Sequence, residues 1–185
     1  MVSPTSGASR PSAGSAAASG GGSERLDVAQ LVDLLGLEPL AGEGGWFRQT
    51  WRAAPVAGSN RPAASTIFYL LGGHDDSFSA LHRLDADEVW HHHLGDPVRL
   101  STLGAAGRAR HVTLGADLRA GHRLQAVVGA QTWMGARLEP NGRWAVLGMT
   151  MAPGWTDEAF ELGRRAELVA RWPAEAELIA SLTRC

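Results

Sequence analysis

From Glu24 to Leu35 the apolar residues Leu26, Ala29, Leu31, Val32, Leu34 and Leu35 recur at helical spacing. Gly36 follows as a stop, so a short amphipathic helix is predicted there. From Gly45 to about Met151 the pattern changes to short runs rich in β-branched and aromatic residues, separated by turn signals. Those signals fall at Ala57 to Asn60, Gly72 to Asp76, Gly95 to Pro97 and Gly104 to Gly107. The clearest is Glu139-Pro140-Asn141-Gly142, where Asn-Gly suits a tight hairpin with positive φ. About eight or nine such strands read as an all-β sandwich or barrel. Helix returns in the tail. Thr156 is placed to cap a turn containing Asp157 and Glu158, and Pro173 opens a last helix with Leu178, Ile179 and Leu182 inward.

Residues 1–24 depart from this texture, being rich in Ser, Gly, Ala and Pro without a continuous apolar stretch. Such a segment buries too little apolar surface to offset its ordering entropy, so a disordered leader is expected, followed by one domain over residues 25–185. A formal charge of −2 with dispersed arginines gives no basic face for nucleic acid. No apolar run is long enough for a membrane-spanning helix, and cytoplasmic residence is expected by default. All 17 basic residues are Arg, a bias that GC-rich coding accounts for, and the lack of Lys excludes Schiff-base chemistry. The single cysteine, Cys185, excludes a disulfide within the chain.

The stretch from His82 to Gly95, HRLDADEVWHHHLG, concentrates the chemistry. In an extended chain Glu88, Trp90 and His92 share one face, and Val89, His91 and His93 the other. His82, six residues before Glu88 on the preceding strand, is expected to project into the same cavity. Two imidazoles and a carboxylate suit an octahedral metal with open positions, and without metal the same set suits general acid–base work. The bland alternatives are a solvated edge or subunit contact for His91 and His93, and turn amides as partners for Glu88. Most of the seven tryptophans are expected in core and interface, with Trp90 and Trp133 the two most readily placed in a pocket.

Six ordered blocks carry a resemblance: LVDLLGLEPL from Leu31, EGGWFRQTWR from Glu43, ASTIFYLL from Ala64, FSALHRLDADEVWHHHLGDPVRL from Phe78, AQTWMGARLE from Ala130 and TMAPGWTDEAFELGRRAEL from Thr150. In these, the chain resembles the cupin group called DUF985 or cupin_5. The resemblance implies an all-β, RmlC-like jelly-roll barrel with an N-terminal helix and C-terminal helices, a small-molecule ligand and a homodimer. Against the broader cupin motif HxHx₃Ex₆G, the chain aligns His82, Leu84, Glu88 and Gly95, with Leu84 at the second histidine. Met134 stands where the second motif has its metal histidine. A divalent metal, if held, would use His82 and Glu88 with His92 as third ligand, and no cofactor is otherwise implied.

The leading expectation is an enzyme of isomerase, epimerase, cyclase or lyase type. His82 would be its base, Glu88 the group orienting it, and Arg48 or Arg137 the holder of an oxyanion. Trp90, His92, Trp133, Met134 and Arg137 would contact substrate. The alternatives are a metal-dependent oxygenase or lyase and a non-catalytic binding or sensor module.

Overall fold

The computed structural model describes residues 25–72, 77–104 and 107–184, so the leader and parts of the predicted turns at 72–76 and 104–107 lie outside the described residues. The first element is α1 (Val28–Leu35). It begins four residues later than predicted because Asp27 caps it. The Asp27 carboxylate accepts from the Gln30 amide at 2.9 Å, while Gln30 Oε1 accepts from the Asp27 amide at 2.9 Å. This reciprocal pair satisfies two otherwise free helix-end donors, and Gly36, at φ 61°, ends the helix as predicted.

Eleven strands follow: β1 (Glu38–Pro39), β2 (Trp46–Arg52), β3 (Ser65–Gly72), β4 (Phe78–Leu84), β5 (Asp87–Gly95), β6 (Val98–Leu103), β7 (Ala109–Leu114), β8 (Gln125–Val128), β9 (Trp133–Leu138), β10 (Trp144–Ala152) and β11 (Phe160–Leu162). They form a six-stranded sheet ordered β1-β2-β3-β10-β5-β8 and a five-stranded sheet ordered β11-β4-β9-β6-β7. From β3 to β6 each strand changes sheet, and β8 to β11 do the same. The two sheets thus face each other as a jelly-roll barrel. The all-β expectation holds, and helices stand at both ends.

The Asn141-Gly142 turn is a correction in kind. Asn141 does adopt positive φ, at 68°, but β9 and β10 belong to opposite sheets, so the turn crosses the barrel end instead of closing a hairpin. Turn chemistry fixes the local bend; sheet membership is decided by which neighbours bury each strand. The tail differs in detail as well. Asp157–Ala159 is a single 3-10 turn, and its cap Thr156 makes no side-chain capping bond to it. Pro173 opens another 3-10 turn, Pro173–Glu175, between α2 (Arg165–Arg171) and α3 (Ala176–Ser181). Ile179 and Leu182 are buried as predicted.

Three apolar clusters result. One fills much of the barrel interior with Tyr69, Leu71, Trp90, Leu100, Met134, Leu147 and neighbours. A second joins the outer face of the five-stranded sheet to α2 and α3 through Leu81, Leu103, Trp133, Leu168, Trp172 and Ile179. The third seats α1 on the outer face of the six-stranded sheet, Leu31 and Leu37 against Leu70, Trp144 and Val146. A cavity is lined by residues of β2, β3, β4, β5 and β10.

Candidate functional site

The cavity, of about 760 Å³, is lined by Leu40, Phe47, Ile67, Leu84, Met149, Met151 and Phe160, with His82, Glu43 and Glu88 as buried polar groups. Its remaining polar lining comes from Glu38, Gln49, Arg52, Ser65 and Asp157, beside Trp155. A mostly apolar concavity with a few converging polar groups has the usual form of a ligand site.

His82 sits on β4, only 2% exposed. Its Nδ1 lies 2.8 Å from the Ala80 carbonyl. A carbonyl only accepts, so Nδ1 carries the hydrogen, and Nε2 is the nitrogen left to take a proton from a ligand. Phe160 stacks on the ring, with centroids 5.3 Å apart and planes at 24°. The imidazole is therefore held in both orientation and tautomer.

Two carboxylates flank it. Glu43, 6% exposed, accepts a hydrogen bond from Ser79 Oγ at 2.7 Å, and its Oε1 lies 3.9 Å from His82 Nδ1. The loop carrying it makes an abrupt turn through Gly44 (φ 104°) and Gly45 (φ 71°). A Cβ on Gly45 would meet the Leu70 carbonyl at 2.7 Å, so the approach that turns Glu43 inward requires glycine. Tyr69 Oη donates to the Gly44 carbonyl at 2.8 Å, and Arg184 donates to the carbonyls of Gly42 and Glu43, fixing the loop from both sides.

Glu88 on β5 is 5% exposed, and its Oε2 is buried with no hydrogen-bond partner among the described residues. Burial pushes its carboxyl up from 4.5 to about 7; neighbouring His82 opposes the rise, Glu43 adds to it, and the Trp90 indole opposes it least. The Trp90 Nε1–H closes no hydrogen bond on Glu88 and is itself unpartnered. An orphaned carboxylate oxygen in a lined cavity is a group waiting for a donor.

His82 and Glu88 thus line one cavity, and strand alternation accounts for it. Glu88, Trp90 and His92 are buried, whereas Val89, His91 and His93 face outward. The outward pair stacks ring on ring at 6.2 Å, and His93 packs edge-on against Phe68. The other expected site residues lie elsewhere. Trp90 is fully buried in the interior cluster, as is Met134, and neither lines the cavity. Trp133 alternates to the outer face, under α2 and α3, with Arg83 over its ring at 5.0 Å. Arg48 lies over Phe68 on the outer face, 5.7 Å from its centroid, and Arg137 lies over Phe78 at 5.9 Å, lining a groove outside the barrel. Neither arginine reaches the cavity, because each is on the opposite side of its strand from the inward residues.

The cavity arginine is Arg52. The register of β2 against β3 shifts between Gln49 and Trp51. Phe47 and Gln49 point inward; beyond the shift Trp51 faces solvent and Arg52 turns to the cavity. Simple alternation would have placed these two the other way. Glu43 was also passed over, although it opens the EGGWFRQTWR block; a carboxylate before Gly-Gly was the available signal.

The set does not form a metal centre as it stands. Among the described residues no three His, Cys, Asp or Glu side chains are grouped to hold an ion. His92 does not line the cavity, and its Nε2 lies 3.2 Å from the Asp96 carbonyl. Leu84 faces the cavity and Met134 the apolar interior, at the positions where cupin motifs carry histidines.

The jelly-roll barrel, with His82 on β4 and Glu88 on β5 lining its cavity from the two sheets, is that of a cupin. The chain belongs to the family Cupin_5, described as Cupin superfamily (DUF985), whose model matches residues 29–163. A crystal structure of a Shewanella oneidensis protein is 29% identical, with a TM-score of 0.80, 86% of this chain covered and 99% of the other. A hypothetical protein from Leishmania major is 26% identical, with a TM-score of 0.78 and coverage of 86% and 100%. Oxalate decarboxylase from Bacillus subtilis is similar in fold, at 12% identity and a TM-score of 0.51, over 79% of this chain and 37% of the other. Mn(II) centres are described for that enzyme, so the fold admits a metal. No functionally curated protein matches the chain. Among the described residues no helix is long and apolar enough to cross a membrane.

Proposed function

We propose that the chain is an enzyme of isomerase, epimerase or lyase type that moves a proton on a small polar metabolite held in the barrel. His82 Nε2 is the base. Glu88 is the second proton-exchanging group, and its buried, unpartnered Oε2 beside that imidazole is the observation that carries the reading. Glu43 keeps the imidazole charge-compensated when it takes up a proton. The mostly apolar walls lower the local dielectric, which strengthens each of these interactions.

The test is turnover. With a substrate found by metabolite co-purification, His82→Asn is expected to lower kcat by about 10²–10⁴-fold, the usual contribution of a positioned acid–base group. Unchanged rates in both His82→Asn and Glu88→Gln would end the assignment. Stoichiometric divalent metal in untagged protein, lost in His82→Ala, would replace it with metal-dependent chemistry.

The same proposal includes a homodimer formed through the outer face of the six-stranded sheet. Registered pairs run across that face from Trp51 through Thr66, Thr150 and Val89 to Val127, beyond the area covered by α1. Trp51 and Val127 are 53% and 62% exposed, and covering them would also protect the β8 edge. Light scattering is expected to give twice the mass of one chain, falling to a single chain in Val127→Glu. A single-chain mass for the unmodified protein would remove the dimer.

A further inference from the structure

We infer that the ligand of this cavity presents a cationic nitrogen, a protonated amine or amidine, to its inner end, with an apolar remainder along the walls. The inference rests on the cavity being a ligand site, as proposed above, and adds the charge class of what it takes.

The distribution of charge carries it. Glu43, Glu88 and the His82 imidazole are the buried acid and base groups of the lining, with Glu43 3.9 Å from the imidazole. Ser79 donates to Glu43, but nothing among the described residues donates to Glu88 Oε2. The mouth adds Glu38 and Asp157 against a single cation, Arg52, whose Nη1 is turned toward the Trp155 carbonyl at 3.4 Å. The chain contains no Lys to balance this elsewhere in the lining. A ligand carboxylate entering the inner end would meet Glu43 and the ionised form of Glu88, both of its own sign, in a poorly screened space. A neutral hydroxyl would satisfy Oε2 as a donor but would not favour the ionised form of Glu88, which burial disfavours. An ammonium does both. The rest of the lining agrees: the faces of Phe47, Phe160 and Trp155 and the thioethers of Met149 and Met151 suit the alkyl or aryl body of an organic cation.

A matched series on the full chain separates the possibilities: benzylammonium, benzyl alcohol and phenylacetate, titrated calorimetrically at neutral pH. Benzylammonium is expected to bind in the cavity at least about tenfold more tightly than either of the others. Glu88→Gln is expected to weaken it by at least about tenfold while leaving benzyl alcohol within about twofold. Glu43→Gln should weaken it in the same sense, which keeps the test open if either variant folds poorly by thermal melt. Arg52→Ala should leave or improve ammonium binding, whereas an anion site would lose affinity there. Phenylacetate binding as tightly as benzylammonium would overturn the inference. So would no saturable ammonium binding, or affinity indifferent to both glutamates. Turnover of an anionic substrate that still depends on His82 would sink the charge class alone. Ammonium binding without turnover of any amine would sink the acid–base reading alone.

Discussion

Glu88→Gln should gain stability relative to the unmodified protein as pH rises from about 3.5 to about 8. In the fold the Glu88 carboxyl titrates at about 7, against 4.5 in an unfolded chain, chiefly because burial penalises its ionised form. Below 4.5 both states hold the proton and the group costs nothing. As pH rises toward 7 the unfolded chain gives up its proton first, so stability falls, and above 7 the whole cost is present. A shift of that size corresponds to about 3 kcal/mol, the upper limit of what the amide recovers, since the amide also needs partners. Urea unfolding of both proteins at the two pH values checks this, provided the slope with denaturant is unchanged. The same stability difference at both pH values would mean that the carboxylate is solvated or paired, contrary to its buried, partnerless Oε2. With Glu88 serving the proposed ligand, gain in stability should accompany loss of binding.

The second large effect concerns Trp90. Its place beside Glu88 in sequence suggested a substrate contact, but its ring is fully buried, edge-on to Tyr69 with centroids 6.4 Å apart. Trp90→Ala is expected to cost about 3–5 kcal/mol, because the interior around it cannot collapse into the space left behind. Trp90→Phe should recover much of that loss, since it retains most of the apolar volume and removes the unpartnered indole nitrogen. Denaturant unfolding measures both. A loss under about 1 kcal/mol in Trp90→Ala would show that the ring fills no well-packed core.

His82 and Glu88 needed only period-two alternation along β4 and β5 and a short turn between them, and both line the cavity. The same alternation separated His91 and His93 from His92. It could not say how deep along the barrel a residue sits. Trp90 and His92 share Glu88's face, yet one is core and the other is tied to the Asp96 carbonyl. Trp133 and Arg48 lie on the outward side of their strands. Arg52 was hidden by one register shift, which reverses every side chain beyond it.

Local pattern alone therefore determined the helix at the start, the run of short strands, the ordered family blocks, and the imidazole and acid that meet inside. These depend on periodicity and on neighbours a few residues away, which a linear chain records. Tertiary structure decided the rest: the sheet each strand joins, the place of the cavity, the inward turn of Glu43 and Arg52, and, among the described residues, the absence of a donor for Glu88 Oε2. Those depend on contacts between residues far apart in the chain, such as Ser79 with Glu43 and Arg184 with the Gly42 carbonyl, and no spacing along the chain encodes them.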